Sequence, residues 1–152
     1  MTSRYFEDWT EGESFETRGI TITESQIVDF ALMYDPQPMH VDKRFAEAGP
    51  FGELIASGFH TLSVCFRMVF DTGYLTHSNI IGAGLDDVRW TAPVRPNDTL
   101  CCRVTILELR PSRSKPDRGS MRFEVAAFNQ HDEAVMRFVS TSILKRRQAA
   151  AE

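Results

Sequence analysis

The chain has 152 residues, 42% hydrophobic and 25% charged, and a net charge of −4 from 17 basic and 21 acidic side chains. That balance fits one globular domain spanning residues 1–152, burying roughly 70% of the surface its unfolded form exposes, with no need of a disulfide or metal to fold. The acidic excess argues against nucleic-acid binding. The three cysteines, Cys65, Cys101 and Cys102, make neither a disulfide framework nor a zinc pattern. Met1 to Phe15 is polar and lacks the apolar core of a signal peptide. No apolar run approaches a membrane span, so a cytoplasmic protein with no membrane partner is expected.

Ser14 to Thr21 mixes aromatic and β-branched residues and reads as a strand. Thr23-Glu24-Ser25-Gln26 has the form of a capping box. Ile27, Phe30, Ala31 and Tyr34 follow at helical spacing, giving one apolar stripe, and Pro36 and Pro38 stop that helix. Val41 to Ala48 suits a short helix, and Gly49-Pro50-Phe51-Gly52 is a loop signal. Phe59 to Phe70 is apolar nearly all round, which predicts a helix buried on most faces, with Gly73 as its terminator.

Beyond it the texture becomes β-rich, in Ile80 to Val94, Leu100 to Leu109, Met121 to Asn129 and Ala134 to Leu144. Alternation puts Phe123, Val125 and Ala127 on one face, and Val135, Arg137 and Val139 on one face of the last segment. Pro96-Asn97-Asp98 and His131-Asp132-Glu133 are turns. Pro111 to Gly119 is a polar loop, and Gln148 to Glu152 is a frayed tail. Strand, helix, buried helix and four strands suit an α+β fold in which an antiparallel sheet wraps one central helix.

Tyr34-Asp35-Pro36-Gln37-Pro38-Met39-His40 carries the chemistry. It sets a carboxylate and an imidazole five positions apart, with two prolines restricting the backbone between them. Adding water to a double bond needs one group to take a proton from water and one to deliver a proton to carbon. An Asp/His pair does both if its protonation equilibria are set apart. Spacing alone leaves open a turn-capping Asp35 and an ordinary surface His40. No metal is expected, because no recognised ligand spacing joins Asp35, His40, Asp42 and His60.

Asp35-Pro36-Gln37-Pro38-Met39-His40 resembles the Asp-x-Asn-Pro-x-His motif of MaoC-like dehydratases and R-specific enoyl-CoA hydratases. It matches at Asp35, Pro38 and His40, with Gln37 in place of the asparagine. Phe45 and Ala46 continue the pattern. Gly52 to Thr61 is similar to the family's lead into its central helix, and Gly82 to Leu100 to its next strand and turn.

The resemblance implies a hotdog fold and a hydro-lyase acting on enoyl or 3-hydroxyacyl thioesters, with Asp35 as base on water and His40 holding the water and moving its proton. The Gly58 amide would polarise the thioester carbonyl, consistent with the unpaired, partly positive N–H groups that open a helix; the residue alone equally suits a glycine that only permits close helix–sheet packing. Ser57, read first as an N-cap, and His60, read first as a buried histidine with a backbone partner, are further candidates beside that oxyanion site. Arg110, Arg113, Lys115 and Arg118 are candidates for the phosphates of coenzyme A. No cofactor is expected; coenzyme A or acyl carrier protein would enter as part of the substrate. A homodimer or dimer-based oligomer is implied. The alternatives are a hotdog acyl-CoA thioesterase and a non-catalytic acyl-thioester-binding subunit.

Overall fold

In the computed structural model, residues 3–147 are described, and the expected frayed tail lies outside them. The capping box forms as read: Gln26 N–H donates to Thr23 Oγ1, and Thr23 N–H to Gln26 Oε1, opening α1 (Glu24–Tyr34). Pro38 then occupies the first position of a short helix, α2 (Pro38–Val41), where its missing N–H costs nothing. Asp42 caps α3 (Lys43–Ala48) by accepting from Phe45 N–H. The long helix α4 spans Gly58–Asp71, and Gly73 follows it at φ 78°.

Six antiparallel strands make the sheet. The long ones are β3 (Asn79–Trp90), β4 (Thr99–Pro111), β5 (Arg118–Phe128) and β6 (Ala134–Lys145). The segment expected as one N-terminal strand is split into β1 (Ser14–Glu16) and β2 (Ile20–Thr21), both pairing with β4. Between them the Thr17 hydroxyl accepts Cys102 N–H at 3.0 Å, so a side chain replaces a ladder carbonyl. The order is β1-β4-β5-β6-β3, with β2 beside β1 on β4.

The sheet curls round α4, the hotdog arrangement. Its inner face buries Met121, Phe123, Val125 and Ala127 of β5 against Cys65, Met68 and Val69 of α4. On β6 the core face carries Met136, Phe138, Ser140, Ser142 and Leu144, which corrects the expected grouping of Val135, Arg137 and Val139. The cause is a register shift: Ala127 pairs with Met136 but Phe128 pairs with Ala134, leaving Val135 as the extra residue.

Burial of α4 is also narrower than expected. Phe59, Ser63 and Arg67 are exposed along one side. The neighbouring strand β3 ends the sheet and is exposed along nearly its whole length. Among the described residues no helix is long and apolar enough to cross a membrane.

Phe123 is fully buried at the centre of this core. Phe123→Ala should destabilise the fold by about 3–5 kcal/mol, read as a lower urea midpoint. A loss under about 1 kcal/mol would contradict the core as described.

Candidate active site

The site forms where α1 ends. Asp35 is the C-cap of α1, its N–H bonded to Ala31 O. Gln37 N–H then donates to Asp35 O and His40 N–H to Gln37 O, at 2.8 and 2.9 Å, so the proline-bearing segment winds tightly. It delivers both side chains to one cavity of about 490 Å³, bordered also by Gln37, Gly58, Phe59 and Trp90. His40 is 4% exposed, so it is not a surface histidine.

Each half of the pair is held by a second group. His40 Nδ1 lies 2.7 Å from the Ile55 carbonyl. A carbonyl only accepts, so Nδ1 carries the proton and neutral His40 presents a lone pair at Nε2. Nε2 stands 3.5 Å from Asp35 Oδ2. Oδ2 accepts the Ser57 hydroxyl at 2.6 Å, and Oδ1 accepts Gln37 Nε2–H at 2.8 Å. The Ser57 bond, then the Gln37 bond, hold the Asp35 carboxyl below the usual carboxylate range against its partial desolvation. Native stability therefore gains from Asp35 above that usual range and loses the gain as pH falls through the lowered value.

Gly58 opens α4 beside the pair. The Trp90 indole lies flat against it: a Cβ built on Gly58 would stand 2.5 Å from Trp90 Cε2. Trp90 Nε1–H donates to Gly58 O at 2.9 Å. Glycine is required because only a hydrogen fits beneath the ring. Phe59 meets Trp90 edge-on, with centroids 6.3 Å apart.

The structure thus brings together Asp35, His40 and Gly58, and it corrects three other expectations. Ser57 caps α4 as first read, its hydroxyl accepting Phe59 N–H, but it is fully buried, gives its proton to Asp35 and does not border the cavity. His60 points away, because two residues along a helix turn the side chain by about 200°. It stacks on Phe30 at 4.7 Å and borders a separate cavity with Gln26 and Asp29. It has no backbone partner at Nδ1, and burial pushes its imidazole down from the usual value.

The cations Arg110, Arg113, Lys115 and Arg118 lie at or beside the β4–β5 turn, at the other end of the sheet. Trp90 pairs with Met136 whereas Arg118 pairs with Lys145, about 30 Å further along β6 at 3.3 Å per residue. Arg110 is paired with Glu108 and Arg118 with Asp117. Among the described residues no group of three or more His, Cys, Asp or Glu is placed to hold a metal ion.

Two contributors were not readable in advance. The Ile55 carbonyl is a backbone group with no sequence signal. Gln37 stood out only as a departure from a motif, yet its amide reaches Asp35 directly.

The MaoC like domain model matches residues 7–127 of the chain. A Bacillus subtilis protein named YdeM, itself uncharacterized, is 30% identical over 140 residues, 92% of this chain and 98% of its own. The (R)-specific enoyl-CoA hydratase of Rhodospirillum rubrum is 32% identical over 119 residues, covering 72% of this chain and 74% of its own. A crystal structure of a MaoC-like dehydratase from Rhodospirillum rubrum superposes with a TM-score of 0.83 at 33% identity, covering 95% of this chain and 99% of that one.

Gly58→Ala should force the Trp90 ring off α4, destabilise the fold by about 1–3 kcal/mol and shift tryptophan emission to longer wavelength. In the Trp90→Ala background the same substitution should cost much less. Equal costs in both backgrounds would contradict the contact.

Proposed function

The chain belongs to the MaoC-like domain family, and from that premise we propose that it is a hydro-lyase adding water to enoyl thioesters, or removing it from (R)-3-hydroxyacyl thioesters. The observation that carries this reading is the shared cavity of Asp35 and His40 beside the start of α4. The name of the Rhodospirillum rubrum hydratase supports the chemistry and its hand.

In the proposed reaction a water molecule lies between Asp35 and His40 Nε2. Its oxygen bonds to C3 of the enoyl thioester as one O–H breaks and that proton passes to Nε2. The C2=C3 π pair moves through to the thioester oxygen, giving an enolate that the Gly58 N–H faces. The enolate takes a proton at C2 from Nε2–H, and the imidazole returns to its neutral form. Asp35 accepts the water's other O–H and stays ionised throughout.

The base is therefore assigned to His40 and not, as the motif alone suggested, to Asp35. Two donors already occupy the Asp35 oxygens and weaken it as a base. Water and the thioester, carried by coenzyme A or acyl carrier protein, are the only reactants this reading requires. We place the reaction in the cytoplasm, a setting that suits three free cysteines.

The exposed edge of β3 supports a homodimer. Ile81 and Leu85 are 59% and 41% exposed on it. An apolar groove of about 710 Å³ runs between β3 and Leu62, Phe66 and Phe70 of α4. An unpaired strand edge with apolar side chains is a template for a second strand, and a second copy of the chain is the occupant we propose.

Asp35→Asn and His40→Ala should each lower hydration of crotonyl-CoA, followed by loss of its enoyl absorbance, by about 10²–10⁴-fold, with no free thiol released by the unsubstituted chain. Thiol release in place of hydration would make the protein a thioesterase. Turnover of no enoyl thioester of any chain length would overturn the reading. Light scattering should give twice the chain mass, and Leu85→Asp should shift it toward the single-chain value; a monomeric unsubstituted chain would contradict the dimer.

A further inference from the structure

We infer that Ser57 is a positioning residue of this site: its buried hydroxyl ties the Asp35 oxygen that faces His40 to the Phe59 amide in the first turn of α4. The hydroxyl has one proton to give and lone pairs to receive with. It receives Phe59 N–H at 3.2 Å and gives its proton to Asp35 Oδ2 at 2.6 Å. Capping α4 requires only the first of these bonds. Nothing in a helix cap dictates where the hydroxyl proton goes, yet it goes to a carboxylate 22 positions earlier in the chain.

That oxygen, Oδ2, is the one 3.5 Å from His40 Nε2, while Gln37 holds Oδ1. The side chain of Asp35 is thus fixed at both oxygens, and the choice of which one meets His40 belongs to Ser57. Removal of that hydroxyl takes from the carboxylate the shorter of its two side-chain donors. The charge-assisted bond favours the ionised carboxylate, in the same direction as the lowered Asp35 titration.

The inference deepens the hydro-lyase reading and rests on it only for its kinetic arm. The test compares the full-length chain with Ser57→Ala and Ser57→Cys; the cysteine keeps nearly the same volume with a much poorer donor and serves if the alanine variant does not fold. Asp35 is followed by carboxyl ¹³C NMR across a pH titration, assigned with Asp35→Asn. Its titration should move to higher pH in either variant. The kcat for crotonyl-CoA should fall about ten- to a hundredfold with KM little changed. A residue that merely caps the helix would lower Tm and leave the Asp35 titration in place, and that result overturns the inference. A moved titration in a chain that hydrates no enoyl thioester upholds Ser57 as the positioning residue and overturns the proposed function instead.

Discussion

The site depends on the hydrogen bond between the Ser57 hydroxyl and Asp35 Oδ2. It joins two segments with little else in common: the proline-bearing exit of α1 and the start of the helix that the sheet encloses. The Ile55 carbonyl in turn pins His40 through Nδ1. Ile55 and Ala56 are themselves tied down, with Ile55 N–H on Met39 O and Ala56 N–H on Val94 O. The stretch that precedes α4 therefore organises both members of the pair, one through a backbone carbonyl and one through a side-chain hydroxyl.

This arrangement separates the roles of the two groups that the motif brings together. A carboxylate that already accepts two hydrogen bonds is poor at accepting a proton and good at remaining charged. An imidazole whose Nδ1 proton is engaged has one direction left in which to act, through Nε2. In the proposed reaction the proton moves between water and carbon by way of one nitrogen, while a fixed negative charge steadies the cation formed on the way. Trp90 contributes from the sheet: lying on Gly58 and bonded to its carbonyl, it fixes where the first turn of α4 begins.

Much of the fold was legible because it rests on local rules. Thr23 and Gln26 announce α1 by capping chemistry, Pro36 and Pro38 end it, and alternation in Phe123, Val125 and Ala127 marks the inner face of β5. The failures were all non-local. Thr17 breaks the first strand by bonding to Cys102, a partner 85 positions away. The extra residue at Val135 exists only relative to Phe128 across the sheet. The open side of α4 follows from β3 ending the sheet, which no helical periodicity can reveal. At the site, a motif and a helix start point to Asp35, His40 and Gly58, and the fold sets all three on one cavity. The hold of Gln37 on Asp35 and of the Ile55 carbonyl on His40 has no sequence signal; Ser57 was legible as a cap but not as a partner of Asp35, since whether a serine caps, binds substrate or holds a carboxylate depends on what stands 3 Å away. The basic residues from Arg110 to Arg118 looked like a phosphate site because clustering in sequence was read without knowing which end of a long hairpin they occupy.

Using one imidazole to take a proton from water and return it to carbon has a stereochemical consequence: oxygen and hydrogen must enter from the same face. Hydration of crotonyl-CoA in deuterium oxide, with the product resolved by NMR, reads this directly. One deuterium should be retained at C2, on the face that received the new hydroxyl. Deuterium on the opposite face would require a second proton donor across the substrate and would contradict the role given to His40.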